Sequence, residues 1–310
     1  NRSAFSRRNT GTFFCFTLWS CSCLGSLEDG LWRLQDKNKE RDRKKQQYST
    51  ENKFIRFHRY SHYNQNFCCI IDSMQDLIFL DTETTGNNLL EDRLFQVCYK
   101  HGDHIYNEYF KPPVPITVKS QSITHVTNKM VEDKEPFEGG SMQKNLAKLL
   151  EANILVAHNA SFDIAMLANE GVQVPRFICT LKVARYLDRA GVIPEYNMQY
   201  LRYYLELDVN ATAHEAKDDV MVLEALFKRL YAKMIDTYKT HDAVIEEMIK
   251  VSSQPSLFKV LIFGKHKGKR IDEVMKSDRS YLEWLLNQKL QNDAGNDEDW
   301  IFTLKYYLQV

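Results

Sequence analysis

Three short segments of this chain place carboxylates where they could act on a charged substrate. The first, Asp81-Thr82-Glu83-Thr84-Thr85-Gly86, follows directly on the apolar run Leu77-Ile78-Phe79-Leu80. Alternate side chains of a strand share a face, so Asp81 and Glu83 point together. Two carboxylates crowded in this way raise each other's pKa unless a cation sits between them. The plainer account of the same residues is a polar strand end turning at Gly86. The second segment, His158-Asn159-Ala160-Ser161-Phe162-Asp163, follows another apolar run, Ile154-Leu155-Val156-Ala157, and leads into a helix. Open α/β sheets place their sites at such strand ends, and Asp163 would enter from the first helical turn. Helix capping by Asn159 or Ser161, with Asp163 favoured by the helix dipole, competes with that account. The third segment, His214-Glu215-Ala216-Lys217-Asp218-Asp219, stands just ahead of a long amphipathic stretch. Asp218 and Asp219 also fit there as ordinary first-turn acids.

The elements that position these residues begin near Met74. Residues 77–80 and 154–157 have the length and composition of strands buried on both faces. Residues 94–99 and 104–110 read as further strands, ended by Pro112-Pro113. Helices are expected over 142–150, 162–169, 181–188 and 198–205. The clearest helix carries Leu223, Leu226, Phe227, Leu230, Met234 and Tyr238 at spacings of three and four. Strands first, then helices alternating with one more buried strand, predict an α/β sheet flanked by helices. Pro255 and its neighbouring serines set off a tail region, in which 260–263 reads as a strand, 264–268 as a turn and 281–286 as a helix. If the turn is only a solvated hairpin, Phe263 and Trp284 form a tiny core there; 296–310, with Trp300, Phe302 and Leu304, is expected as a helix packed on one of the two units.

At 44% apolar and 26% charged, the 310 residues have the composition of a soluble globular protein. No run of about 18 apolar residues argues for a spanning helix. The 41 basic and 41 acidic residues balance, but 13 basic and 7 acidic ones precede residue 74, leaving 28 and 34 beyond it. A nucleic acid meeting that acidic remainder would need locally supplied positive charge. Five of seven cysteines (Cys15, Cys21, Cys23, Cys68 and Cys69) lie early, with only Cys98 and Cys179 later. No spacing suggests a disulfide framework or structural zinc, so a reducing, cytoplasmic compartment is expected. Residues 1–73 sustain no helical or strand period. They read as a largely disordered extension outside the domains, with Met74 the natural start; Trp19 suits a signal-peptide cleavage site badly.

Together the three segments form an ordered set: an acid pair, another acid after the next buried strand, then a histidine five residues before a final aspartate. In this the sequence resembles the DEDDh class of 3′–5′ exonucleases, whose fold is ribonuclease H-like. Asp81 and Glu83 match the first motif of that class, Asp163 the second, and His214 with Asp219 the third. Ile123-Thr124-His125-Val126-Thr127 and Tyr196-Asn197-Met198-Gln199-Tyr200-Leu201 also look like that family, and the resemblance covers about residues 74–239. It implies phosphodiester hydrolysis with Asp81, Glu83, Asp163 and Asp219 as metal ligands. Four carboxylates are neutralised by two divalent ions, and all-oxygen donors favour Mg²⁺, with Mn²⁺ able to substitute. His214 is then the base that takes the proton from the attacking water. By the spacing of the family motif Asp218 is left as an exposed first-turn acid. Thr82, Thr84 and Asn159 are expected to receive the terminal nucleotide, with attack at a 3′ end and release of mononucleotides implied in the same way.

The run Phe263-Gly264-Lys265-His266-Lys267-Gly268-Lys269-Arg270, with Tyr281 and Trp284 beyond it, looks like the small carboxyl-terminal domain of exonuclease X-like proteins. The expected organisation is an exonuclease domain over 74–240, a helical linker over 241–255 and a small α+β domain with a terminal helix over 256–310. Lys265, Lys267 and Lys269 either hold substrate phosphate or form a solvated hairpin. The expected partner is the 3′ end of a nucleic acid, DNA over RNA, with no membrane and no obligate protein partner. The alternatives are a ribonuclease T-like exoribonuclease, a polymerase III epsilon-like proofreading exonuclease, and a non-catalytic module that binds nucleic-acid ends.

Overall fold

The computed structural model describes residues 74–209, 216–291 and 297–310, so the extension expected over 1–73 lies outside the described residues. The central strand is β1 (Leu77–Thr84), and its apolar half divides by parity. Leu77 and Phe79 enter one core while Ile78 and Leu80 enter another, as a strand covered on both faces requires. β2 (Leu94–His101) and β3 (His104–Tyr109) extend the sheet antiparallel on one side of β1. β4 (Ile154–Ala157) and β5 (Phe177–Cys179) extend it parallel on the other, giving the order β3-β2-β1-β4-β5.

Two short helices, α1 (Val118–Thr124) and α2 (Asn128–Val131), precede α3 (Ser141–Ala152), and α4 (Ala160–Asn169) follows β4. Met142, Leu146 and Leu150 of α3 and Met166 and Leu167 of α4 cover one face of the sheet. The other face is covered by α5 (Thr180–Leu187), α6 (Met198–Tyr204), α7 (Ala216–Tyr238) and α8 (His241–Ser252). The long helix α7 lies against β1, where Phe227 meets Phe79 edge-on at a centroid distance of 5.5 Å. This mixed five-stranded sheet between helical layers is the α/β architecture expected from the order of elements. Strand β5 was not anticipated. At three residues it has no readable period, and only its pairing with β4 defines it. The segment expected as a helical linker over 241–255 is helical over most of its length. Helix α8 buries Val244, Ile245 and Met248 in the core of the first unit, because β5 and α5 need a cover on that side.

Helix α1 holds the end of β1. The strand changes register between Glu83 and Thr84, and beyond that bulge Ser120 Oγ donates to the Thr84 carbonyl at 2.6 Å. Thr117, the N-cap of α1, donates from its backbone to the Thr85 carbonyl at 3.0 Å.

In the tail, α9 (Ile271–Ser277), α10 (Arg279–Leu290) and α11 (Glu298–Leu308) enclose Leu261, Val274, Leu282, Leu285 and Leu304. The expected strand over 260–263 reduces to a single antiparallel bridge between Val260 and Arg270. The Phe263–Trp284 core that goes with the solvated-hairpin reading is not formed. Leu282, Leu285 and Leu286 form the inward face of α10, which turns Trp284 out to 54% exposure. The central ring is Trp300, 7% exposed, with Phe258 and Phe263 at 4.4 and 4.9 Å. Among the described residues no helix is long and apolar enough to cross a membrane. Trp300→Ala is expected to cost about 3–5 kcal/mol, against about 1 kcal/mol or less for Trp284→Ala, as read from urea midpoints followed by circular dichroism.

Candidate active site

Asp81 and Glu83 continue the parity of Leu77 and Phe79, so their side chains emerge on the face that α7 covers. Asp219, in the first turn of α7, comes to meet them. Carboxylate oxygens of Asp81, Glu83 and Asp219 all lie within 4.8 Å of one another. Asp163 is not part of that group. Buried in the first turn of α4, it accepts a 2.7 Å hydrogen bond at Oδ1 from the Thr82 hydroxyl. Its charge is nonetheless the largest of those acting on Asp81.

A second donor holds Asp219. Gln199 Nε2, on α6, donates to Asp219 Oδ1 at 2.6 Å. Arg202 in turn donates from Nη1 to Gln199 Oε1 at 3.3 Å and from Nη2 to the Val209 carbonyl at 2.7 Å. Gln199 and the Thr82 hydroxyl were not anticipated as supports. Gln199 does fall in the stretch Tyr196–Leu201 already singled out, but nothing in a single sequence says which carboxylate an amide will reach.

The local electrostatics follow from burial of like charges. Burial first, then Asp163, Glu83 and Asp219, holds the Asp81 carboxyl well above the usual carboxylate range. Burial, with Asp219 and Asp163 beside it, raises Glu83 to about 7. Burial also raises Asp163 to about 7 against the opposing hydrogen bond from Thr82. Cys98, paired with Asp81 across β1 and β2, has its thiol pushed up to about 12 by burial and then by that carboxylate. Like charges about 4–5 Å apart repel by roughly 3–4 kcal/mol at an effective dielectric near 20. A hard divalent cation offsets that repulsion, and an all-carboxylate donor set suits one.

The remaining expected residues are placed variously. Thr82 and Thr84 are buried, and the Thr84 hydroxyl donates to the Gly86 carbonyl at 2.7 Å. Asn159 precedes α4 in the left-handed region, φ 65°, and makes no side-chain cap bond; Ser161 lies within the helix. His158 is a structural pin. Its Nε2 faces the Tyr196 carbonyl at 2.8 Å and so carries the proton, leaving Nδ1 to accept from the Thr180 hydroxyl at 2.9 Å. Burial lowers its pKa to about 4, so the ring is neutral at physiological pH. Asp218 is half-buried and outside the carboxylate group. His214 lies outside the described residues. Lys265 is paired with Asp278 at 2.8 Å, while Lys267 and Lys269 are exposed.

Two family models match the chain. The exonuclease model matches residues 78–227, and the exodeoxyribonuclease X-like C-terminal model matches residues 261–289. The chain belongs to the exonuclease family, in its exodeoxyribonuclease X-like form. It is 30% identical over 240 residues to exodeoxyribonuclease 10 of Escherichia coli (strain K12), an alignment covering 75% of this chain and 99% of that protein. DNA polymerase III subunit epsilon of Treponema pallidum (strain Nichols) is 29% identical over 163 residues, 49% of this chain and 74% of that protein. A solved structure of exonuclease X in complex with 5′ overhanging duplex DNA superposes with a TM-score of 0.45 at 24% identity, covering 57% of this chain and 99% of that one.

The raised carboxyl pKa values set a sign for stability. A carboxyl whose folded pKa exceeds its unfolded value contributes stability at low pH that is lost as pH rises through the folded value, near 7 for Glu83 and Asp163. In chelator, Asp81→Asn is therefore expected to raise the melting temperature at pH 8. The gain should shrink toward pH 5, where Glu83 and Asp163 are protonated in the wild type. Thermal melts across that range, with and without divalent cation, check it; a gain that grows toward pH 5 contradicts it.

Proposed function

We propose that this protein is a metal-dependent 3′–5′ exodeoxyribonuclease that hydrolyses phosphodiester bonds at DNA 3′ ends and releases nucleoside 5′-monophosphates. The observation that carries the reading is the Asp81–Glu83–Asp219 group at the end of β1, within a chain of the exonuclease family. The preference for DNA is supported by the similarity to exodeoxyribonuclease 10 along 99% of that protein. The match of the tail at 261–289 favours this over a proofreading subunit.

Asp81, Glu83, Asp163 and Asp219 are the residues to hold two Mg²⁺, for which Mn²⁺ would substitute. When bound, such a pair lowers the pKa of the attacking water and offsets the added charge of the transition state. The donors from Thr82 and Gln199 fix one oxygen each on Asp163 and Asp219, so those carboxylates are oriented before substrate arrives. His214 takes the proton of the attacking water. Main-chain groups at Thr82 and Thr84, with Asn159, receive the terminal nucleotide, and Lys267 and Lys269, beside the Asp278-paired Lys265, contribute phosphate contacts. The setting is cytoplasmic and the role is in repair of DNA ends.

Asp81→Ala and Asp219→Ala are each expected to abolish Mg²⁺-dependent release of mononucleotides from 3′-labelled DNA while leaving the circular dichroism spectrum native. Retained turnover in a clean preparation contradicts the ligand assignment, and faster digestion of matched RNA contradicts the substrate. His214→Ala is expected to lower the rate by roughly 10²–10⁴-fold. A pH–rate profile that keeps its wild-type shape in that variant rules His214 out as the base.

A further inference from the structure

We infer that the tail unit carries a second DNA contact, in which a base of a single strand stacks on Trp284 while Lys267 and Lys269 hold the adjoining phosphates. The inference rests on the reading of the chain as a DNA exonuclease and adds a site remote in sequence from the carboxylates. Two glycines in the left-handed region shape the basic turn, Gly264 at φ 75° and Gly268 at φ 82°. The turn is closed by Lys267 N donating to Gly264 O at 3.1 Å, Lys269 N to His266 O at 3.0 Å and Leu261 N to Lys269 O at 2.9 Å. It is a fixed loop bearing outward lysines.

Asp278 clamps that loop to α10. Its Oδ2 accepts from Lys265 Nζ and pairs with His266 Nε2, each at 2.8 Å, while Oδ1 accepts from Tyr281 N as the N-cap of the helix. His266 is buried beneath the turn, with its ring edge-on to Tyr281 at 4.9 Å. The Tyr281 hydroxyl fills the space where a Cβ on Gly264 would stand. One turn along, Trp284 lies 5.7 Å from Tyr281. The basic loop thus meets the aromatic pair through Gly264 and His266, which touch Tyr281.

Its chemistry selects the ligand. Lys265 is neutralised by Asp278, but among the described residues Lys267 and Lys269 form no ion pair. Residues 264–270 hold four cationic side chains and no acid, in a stretch of chain beyond residue 73 with 28 basic and 34 acidic residues. Arg270 is paired with Asp272 and Lys265 with Asp278, which leaves Lys267 and Lys269 as the charge turned to solvent. This is the local positive charge that a polyanion needs. The helix core is complete with Leu282, Leu285 and Leu286, so packing does not explain a tryptophan left 54% exposed beside it. An acidic protein surface would engage the lysines and leave the indole face unmatched. A single strand presents phosphates and a base face together, which matches both.

The test titrates the full-length protein, in chelator to prevent hydrolysis, with an oligothymidylate and follows tryptophan fluorescence and anisotropy. Binding is expected to quench fluorescence in the wild type and in Trp300→Phe, and to lose that quench in Trp284→Ala. Affinity should fall roughly 5- to 150-fold in Trp284→Ala, the range for one lost base–aromatic stack, and be largely retained in Trp284→Phe. Lys267→Gln combined with Lys269→Gln should reduce the slope of log affinity against log salt by about 1.4. Wild-type quench and affinity in Trp284→Ala overturn the inference, as does poly-glutamate binding as tightly as DNA of equal charge. If Trp284→Ala melts early, Trp284→Phe decides, since loss of binding there with a native melt also overturns it. Digestion of the same oligomer by the wild type with Mg²⁺ is scored separately. Absent digestion refutes the enzyme reading, whereas digestion without Trp284-dependent binding refutes only the second contact.

Discussion

Carboxylates held side by side out of bulk water are unfavourable twice over, through lost hydration and through mutual repulsion. At the end of β1 both penalties act on Asp81 and Glu83, where burial leads and neighbouring carboxylates add to the raised pKa, while burial alone raises Asp163 on α4. Such a group would spread apart on a yielding scaffold. Its persistence needs a backbone that does not move and donors that favour the ionised forms, and the sheet and its helices supply these in different ways.

Rigidity comes from β1 being covered on both faces and paired on both edges. Its apolar half is shared between two separate cores, and α7 is pressed against it by Phe227 and Leu223. Sliding α7 along the strand would move Asp219 out of the group and open a cavity around Phe79, so packing and catalysis depend on the same register. Directionality comes from Thr82 and Gln199. Each donates to one carboxylate oxygen, and the Thr82 bond opposes the effect of burial on Asp163. Arg202, buried behind Gln199, keeps the amide from rotating away. The carboxylates are therefore oriented by neutral donors, with the cationic neighbour one step removed. A direct salt bridge would have neutralised the charge a metal needs.

Much of this is legible in the chain and some is not, for identifiable reasons. Strands 77–80 and 154–157 stand out because central parallel pairing buries every residue, and parity alone puts Asp81 and Glu83 on one face. The amphipathic spacing of α7 is long enough to be unambiguous. Strand β5 is too short to have a period, and α8 reads as a helix without revealing that a sheet edge waits for it. Trp284 and Trp300 both sit among leucines at helical spacing, and only the docking of α11 on α10 decides which ring goes inward. Gln199 carries no local signal, because its partner is twenty residues away on another helix. The residue proposed as the base, His214, lies outside the described residues.

The tail is bound into the catalytic unit by contacts that converge on the loop over 188–196. Asp188 accepts from the backbones of Val192 and Ile193 and from the Tyr196 hydroxyl at 2.6 Å, which fixes the loop. The Tyr196 carbonyl then receives the His158 ring at the end of β4, next to the helix that carries Asp163. From the other side, Arg270 donates to the Ala190 carbonyl at 2.6 Å, and Arg185 pairs with Asp299 at 3.3 Å. The Arg185 guanidinium lies over the Phe258 ring at 4.7 Å and the Tyr196 ring at 5.6 Å. A partly buried guanidinium between two aromatic faces is costly to leave unpaired, so separating the units would expose both rings and strand that charge. The two family matches, 78–227 and 261–289, are thus halves of one mechanical object, with α8 and the loop at Tyr196 as its joint.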